Sequence, residues 1–225
     1  AKCHTWIISI HGHGANGRQL FVRSDVRRNW LPDFLASGCG ILSPNLRGSL
    51  WMNDTAAADL DQLLLWLKEH YQAERFIFFS GSMGGTSTLL YACHAPHNVA
   101  GMAIMGSTCD MTDYYWFCRK NTNNIQVLDE IRKTLENLYG GSPLEVPEHY
   151  LQASTLYDTD ILKQIPIYLC HGENDELMPV QQARLLAKSL ADAPHFIYDE
   201  MSGIGHDGPM IRKTTALEWL LKVAK

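Results

Sequence analysis

Short apolar runs alternate with longer amphipathic stretches along this 225-residue chain. The apolar runs have the length and the Gly, Pro or polar boundaries of buried strands, and they cover residues 5–10, 40–43, 75–80, 99–106, 165–170 and 194–198. Amphipathic stretches at residues 54–70, 83–94, 180–190 and 208–223 predict helices between and after them. This alternation predicts a mostly parallel sheet with helices on both faces.

Residues 108–164 interrupt this alternation after the fourth predicted strand. They contain four consecutive aromatic residues at 114–117, a helical pattern near 125–139, and then a segment rich in Gly and Pro. We interpret residues 108–164 as an insertion lying over the sheet of a single domain that spans residues 1–225. This segment is called the insertion below.

Composition and charge exclude several function classes. The net charge is −5 without a Lys/Arg run, which argues against nucleic-acid binding. No apolar stretch approaches the roughly 20 residues that a membrane-spanning helix needs. The six cysteines form no Cys-x-x-Cys pair, so we expect free thiols. We expect a cytoplasmic protein, with secretion left open, and the oligomeric state is not indicated.

Candidate chemistry begins where the third predicted strand runs into a helix through a tight turn with Ser82 at its apex. Such a strand–turn–helix is typical of a nucleophile elbow, in which the serine projects from a strained turn at a helix N-terminus. The positions two before and two after must be small, and Ser80 and Gly84 meet this need. The usual first glycine is replaced by Ser80, and the alternative is an ordinary Ser/Gly-rich turn.

An elbow predicts an acid and then a histidine later in the chain. Asp175 follows the fifth predicted strand and His206 follows the sixth, where the carboxyl ends of parallel strands meet. We therefore predict that Asp175 orients His206 and that His206 activates Ser82. Asp110 is a rival acid because it follows the fourth predicted strand, and Glu173 and Asp207 are weaker rivals.

The Gly-rich loop after the first predicted strand predicts an oxyanion hole. Its two donors would be the backbone N–H groups of Met83 and His13. Residues 12–17 also match the dinucleotide-binding pattern G-x-G-x-x-G, but no later strand ends in the acidic residue this pattern requires. His11 and His13 suggest a metal pair without further ligands at suitable spacing. We therefore predict no cofactor and no metal.

Taken together, the motifs resemble the α/β-hydrolase superfamily, and within it the catalytic domain of prolyl-oligopeptidase-like (S9-type) hydrolases and small carboxylesterases. Four segments in this order carry the resemblance: Asn45-Leu46-Arg47-Gly48, Ser82-Met83-Gly84-Gly85, Tyr139-Gly140-Gly141-Ser142-Pro143, and His171-Gly172-Glu173-Asn174-Asp175. The resemblance covers nearly the whole chain. The sequence departs from the family's pattern in two ways: no β-propeller is evident, and the first two strands of the full fold are not evident before Thr5.

This resemblance implies a serine hydrolase that works through a covalent acyl-enzyme, and we expect its substrates to be small-molecule esters. A peptidase or acyl-aminoacyl hydrolase is the alternative within enzymes, and a non-catalytic binding protein of the same fold is the alternative outside them. We expect Tyr115 and Trp116 in the insertion to line the substrate pocket. The competing interpretation is that these aromatic side chains pin the insertion to the sheet.

Overall fold

The computed structural model describes residues 4–224. Six parallel strands form one sheet in the order β2-β1-β3-β4-β5-β6. In chain order the strands are β1 (Thr5–Ile8), β2 (Gly40–Leu42), β3 (Arg75–Gly81), β4 (Gly101–Met105), β5 (Ile167–Gly172) and β6 (Phe196–Met201). This arrangement confirms the predicted α/β-hydrolase fold with a parallel sheet and helices.

Ten α-helices and three short 3₁₀ helices surround the sheet within the described residues. The α-helices are α1 (Gln19–Val22), α2 (Ser24–Ala36), α3 (Asp54–Tyr71), α4 (Met83–His94), α5 (Met111–Asn121), α6 (Gln126–Tyr139), α7 (Pro147–Gln152), α8 (Thr159–Leu162), α9 (Val180–Ser189) and α10 (Lys213–Val223). The 3₁₀ helices are Pro96–Asn98, Thr155–Tyr157 and Gly208–Arg212. None of the helices in this part of the chain has the length and apolar character needed to cross a bilayer.

Two apolar clusters cover the two faces of the sheet. One includes Leu60, Leu64 and Leu67 of α3, whose three- and four-residue spacing places them on one helix face. The other includes Trp30 and Phe34 of α2, which pack edge-on against Phe79 of β3 with ring centroids 5.2 Å apart. Strand β3 is therefore buried from both sides, and this packing fixes the position and direction of the turn that follows it.

The insertion holds helices α5 to α8 and a third apolar cluster. Tyr114 and Tyr115 of α5 pack in this cluster against Leu128, Ile131 and Leu135 of α6. Met83, the residue after Ser82, belongs to the same cluster. The insertion is thus packed directly onto the start of α4.

Gln182 of α9 ties the insertion to the rest of the fold. Its buried Oε1 accepts hydrogen bonds from the hydroxyl of Thr108 at 2.7 Å and from the backbone N–H groups of Cys109 and Asp110 at 3.1 and 2.9 Å. Its Nε2 donates to Asp113 at 2.6 Å. One fully buried amide therefore satisfies four polar groups at the base of the insertion.

Three local features differ from the sequence-based predictions. No helix was predicted over residues 18–28, yet they form α1 and the start of α2, because Leu20 of α1 and Val26, Trp30 and Phe34 of α2 supply a buried face. The aromatic run at 114–117 lies within the unpredicted helix α5. The expected last helix begins as the 3₁₀ helix Gly208–Arg212 before α10.

Candidate active site

Ser82 occupies a strained turn between β3 and α4. Its backbone has φ +57° and ψ −133°, a conformation that costs a residue with a side chain on the order of 1–3 kcal/mol. The N–H of Ser82 donates to the carbonyl of Met105 on β4 at 2.9 Å, and its own carbonyl accepts from the N–H of Thr86 at 3.1 Å. These bonds hold Ser82 at the N-terminus of α4, where free N–H groups and the helix dipole favour negative charge.

The small residues on either side of Ser82 each have a specific contact. A Cβ atom on Gly84 would lie 2.1 Å from the carbonyl oxygen of Ile10, so only glycine lets α4 approach the first loop this closely. Ser80, fully buried, accepts a hydrogen bond on its Oγ from the N–H of Ile10 at 3.0 Å. The serine that replaces the usual glycine thus bonds the elbow to the loop after β1.

The structure brings Asp175 and His206 together as a hydrogen-bonded pair. The His206 Nδ1 lies 2.7 Å from Asp175 Oδ2, and the Asp175 side chain has no exposed surface while that of His206 is 16% exposed. The backbone N–H groups of Leu177 and Met178 donate to Asp175 Oδ1 at 2.9 and 2.8 Å. Because the carboxylate accepts from Nδ1–H, the neutral imidazole keeps Nε2 free to accept a proton.

The surroundings keep Asp175 ionised. Burial alone would raise the pKa of Asp175, but hydrogen bonds from His171 and His206 and from the N–H of Met178 outweigh it and hold this pKa well below its usual range. The buried His171 has its Nε2 3.3 Å from Asp175 Oδ2 and 2.8 Å from the carbonyl oxygen of Met178. The acid is therefore a permanent anion at neutral pH.

The end of β4 packs against this pair. Gly106 has φ +58°, and a Cβ atom there would lie 3.1 Å from Asp175 Oδ2 and 3.3 Å from His206 Nδ1. A side chain at this position would therefore crowd the hydrogen bond that joins the two residues.

The rival acids have other partners. Asp110 is the N-cap of α5, where its side chain accepts from the N–H of Asp113 at 3.0 Å. Glu173 accepts from the hydroxyl of Ser202 and the N–H of Gly203. Asp207 lies 3.6 Å from Arg23 at the surface. None of the three is bonded to His206 within the described part of the chain.

The loop after β1 is held by its own side chains. The N–H groups of Gly12, Gly14 and Gly17 donate to Gln19 Oε1, Ser49 Oγ and Asn45 Oδ1, respectively. In this structure the three glycine N–H groups that a dinucleotide-binding loop would turn toward a phosphate are therefore paired with side chains of the protein. In contrast, the backbone N–H groups of His13 and Met83 have no acceptor among residues 4–224.

The two histidines of this loop are not arranged as a metal pair. The Nε2 of His11 bonds to the carbonyl of Asn45 at 2.9 Å, and the Nδ1 of His13 accepts from the indole N–H of Trp51 at 3.3 Å. Over residues 4–224, the structure brings no three His, Cys, Asp or Glu side chains into a possible metal-binding group.

A cavity of about 220 Å³ joins the predicted site residues. Ser82, His206 and His13 line it together, at the carboxyl ends of the strands. Its apolar wall is formed by side chains from several elements, among them Ile10, Val26, Trp30, Met105, Leu177 and Met210. Its polar side includes Gln19 and Arg23.

Tyr115 and Trp116 do not line this cavity, which corrects the prediction for these two side chains. Tyr115 is buried in the insertion, where its hydroxyl donates to Glu136 and its ring packs edge-on against Tyr150. Trp116 lies against Tyr115 and under the guanidinium of Arg119. The four-aromatic run therefore pins the insertion together.

The insertion reaches the cavity through α6 instead, with Val127 and Ile131. Sequence reasoning also missed Val26 and Trp30 of α2. Their signal was the four-residue spacing of Val26, Trp30 and Phe34, which was present although the stretch is polar overall.

Comparisons with known proteins agree with this architecture. A family model described as "alpha/beta hydrolase fold" matches residues 5–138. The uncharacterized peptidase YtmA of Bacillus subtilis (strain 168) is 27% identical over 173 residues, which cover 73% of this chain and 63% of that protein. The match thus spans less than two thirds of the length of this curated relative.

Solved structures show the same fold. An esterase from Pyrococcus furiosus superimposes with a TM-score of 0.74 at 17% identity, covering 99% of this chain and 84% of that one. A puromycin-hydrolyzing peptidase from Mycobacterium tuberculosis gives a TM-score of 0.74 at 18% identity, covering all of this chain but 35% of that one. A Thermogutta terrifontis esterase gives 0.59 at 17% identity, covering 100% and 92%. The matched family model, the parallel sheet and the elbow together establish that the chain belongs to the α/β hydrolase fold family.

Proposed function

We propose that this protein is a serine hydrolase in which Ser82 is the nucleophile, His206 the general base and Asp175 the residue that orients the base. One observation carries the proposal. Ser82, held at a strained elbow, lines the same cavity as His206, whose Nδ1 is hydrogen-bonded to the buried carboxylate of Asp175. This combination of roles is what acyl transfer through a serine requires.

The reaction follows from these positions. His206 Nε2 takes the Ser82 hydroxyl proton as Oγ attacks the substrate carbonyl carbon, and the oxyanion is held by the N–H groups of Met83 and His13. The imidazolium is stabilised by the ionised Asp175. His206 then returns the proton to the leaving alcohol, and an acyl-enzyme remains on Ser82. Water, activated by His206, releases the acid and restores the serine.

We propose small esters as the substrates. The two esterases are covered over most of their own length by this chain, whereas the puromycin-hydrolyzing peptidase is covered over 35% of its length. A cavity of about 220 Å³ with largely apolar walls suits a short acyl or alcohol group. Peptide or aminoacyl amide hydrolysis is the second candidate, favoured by the names of the peptidases among the relatives.

Labelling with a fluorophosphonate probe tests the mechanism. The wild type should be labelled at Ser82, and Ser82→Ala should be unlabelled and lose ester hydrolysis by a factor on the order of 10⁴–10⁶ while melting normally. Labelling of Ser82→Ala at the wild-type rate, or retained hydrolysis within about tenfold, would refute the assignment. Rates on p-nitrophenyl esters of increasing acyl length, run beside aminoacyl amides, decide between the two substrate classes.

A further inference from the structure

Two side chains in the cavity have their hydrogen-bond acceptors occupied by the protein itself. The indole N–H of Trp51 points at His13 Nδ1 at 3.3 Å, and an indole nitrogen can only donate. The Nδ1 of His13 must therefore be the unprotonated nitrogen, which places the ring proton on Nε2 in the neutral form. Burial lowers the pKa of His13, and His11 acts in the same direction while Glu130 opposes it.

Gln19 is fixed by the same logic. Its Oε1 accepts the N–H of Gly12 at 2.8 Å, so the other end of the amide is the NH₂ group. Both His13 and Gln19 line the cavity that holds Ser82. Neither His13 Nε2 nor Gln19 Nε2 has an acceptor in the described chain, residues 4–224.

From these contacts we propose that His13 and Gln19 form a donor pair that binds a second hydrogen-bond acceptor on the substrate, such as an ether or carbonyl oxygen close to the scissile carbonyl. This inference rests on the proposed function of Ser82 and deepens it. It assigns to the His13 side chain a role separate from that of its backbone N–H. The preferred substrates are then esters with an oxygen in the acyl or alcohol part rather than plain alkyl esters of the same size.

The charges of His13, Gln19 and the neighbouring Arg23 favour an uncharged acceptor on the substrate. The imidazole of His13 is neutral in this tautomer, and the amide of Gln19 carries no charge. The neighbouring cation Arg23 already holds Asp25 through two hydrogen bonds at 2.9 and 3.0 Å. Because Asp25 balances the charge of Arg23 and the donors of His13 and Gln19 are neutral, the pair matches an ether, ester or amide oxygen better than a carboxylate.

Pairs of isosteric substrates test the proposal. p-Nitrophenyl methoxyacetate differs from p-nitrophenyl butyrate by one oxygen in place of a methylene group, and 2-methoxyethyl acetate differs from butyl acetate in the same way. For each pair, kcat/KM on the oxygen-containing ester is divided by kcat/KM on the alkyl ester. Comparing this ratio between wild type and variants cancels the intrinsic reactivity of the esters.

In His13→Phe, the ratio for at least one pair should fall about fivefold, the loss expected for one neutral hydrogen bond. Gln19→Glu keeps the acceptor for Gly12 but replaces the NH₂ group with an oxygen, so the ratio for the same pair should fall at least as far. His13→Gln restores an N–H donor and should recover part of the ratio. If His13→Phe does not fold, His13→Ala supports the same comparison.

The fluorophosphonate probe separates this proposal from the proposed function. If the wild type is not labelled, both fall together. If Ser82 is labelled in the wild type and both variants while neither substrate ratio changes, the donor pair is refuted and the serine mechanism stands. A nitrogen NMR spectrum of the wild type that shows the His13 proton on Nδ1 would also overturn the donor pair.

Discussion

The hydrogen bond from the Ile10 N–H to Ser80 Oγ should stabilise the fold and position the loop that carries His13. Ser80→Ala removes the acceptor and leaves a buried N–H without a partner, because Ile10 lies beyond the end of β1 and has no other acceptor in the described chain. Stranding one buried donor costs about 1–3 kcal/mol. For a chain of this size, that lowers the melting temperature by about 2–12 °C.

The same change should also slow hydrolysis, on the mechanism proposed above. A loosened loop holds the His13 N–H less well at the position of the oxyanion, so kcat should fall on the order of tenfold with little change in KM. Ser80→Gly introduces the glycine usual at this position but removes the same oxygen, and it should show the same two losses.

Ser43→Ala is the matched control. The Ser43 hydroxyl donates to the carbonyl of Ser9 at 3.2 Å from a half-buried position, so its loss strands no donor. We expect less than about 0.5 kcal/mol and unchanged kinetics for this variant. Thermal melting and kcat/KM on p-nitrophenyl butyrate should be measured for all three variants. If Ser80→Ala equals Ser43→Ala in both, Ser80 does not position the loop.

Four further predictions concern the acid, the elbow and the insertion. Asp175→Asn should lower kcat on the order of 10³–10⁴-fold while Asp110→Asn, which keeps its helix cap, stays within about threefold; the reverse ranking would contradict the assignment. Because the folded-state pKa of Asp175 is lowered, its carboxylate stabilises the fold above about pH 4, and this stabilisation is lost as the pH falls toward the folded-state pKa. The melting temperature of Asp175→Asn should therefore fall less on acidification than that of the wild type. In Gly84→Ala the new Cβ would lie 2.1 Å from a backbone carbonyl oxygen, so the free energy of unfolding in denaturant should fall by about 3 kcal/mol or more. In the control Gly12→Ala the nearest atom would be 3.6 Å away, and the loss should be under about 1 kcal/mol. Equal losses in the two variants would refute the close approach at Gly84. Gln182→Leu leaves the N–H groups of Cys109 and Asp110 without their acceptor and should cost about 2–6 kcal/mol, and a loss below about 1 kcal/mol would show that the insertion is held elsewhere.

The sequence predicted the sheet and the three proposed catalytic residues because their signals are local. Ser82 lies in a strand–turn–helix pattern, and Asp175 and His206 each follow an apolar strand in the order that the elbow requires. The parallel sheet brings the ends of these strands together without any information about side-chain packing. These positions could therefore be predicted from a single sequence.

The walls of the cavity could not be predicted in this way. They combine side chains from α2, α6 and the loop after β1, and which of these meet depends on how helices cross, not on any local pattern. Ser80 shows the same limit, because its partner Ile10 is 70 positions away in the chain. The insertion lies between β4 and β5, but the aromatic run that suggested a pocket proved to be its interior.

The strand order has a consequence for synthesis on the ribosome. Strands β3, β4, β5 and β6 join the sheet one after another at the same edge, and the insertion separates β4 from β5 in the chain. A nascent chain can therefore complete the elbow around Ser82 while its growing sheet still ends at the open edge of β4. Asp175 and His206 arrive only with β5 and β6. On the proposed mechanism, Ser82 is therefore synthesised early but stays without its base until translation has passed the insertion, and during that interval the edge of β4 is unpaired.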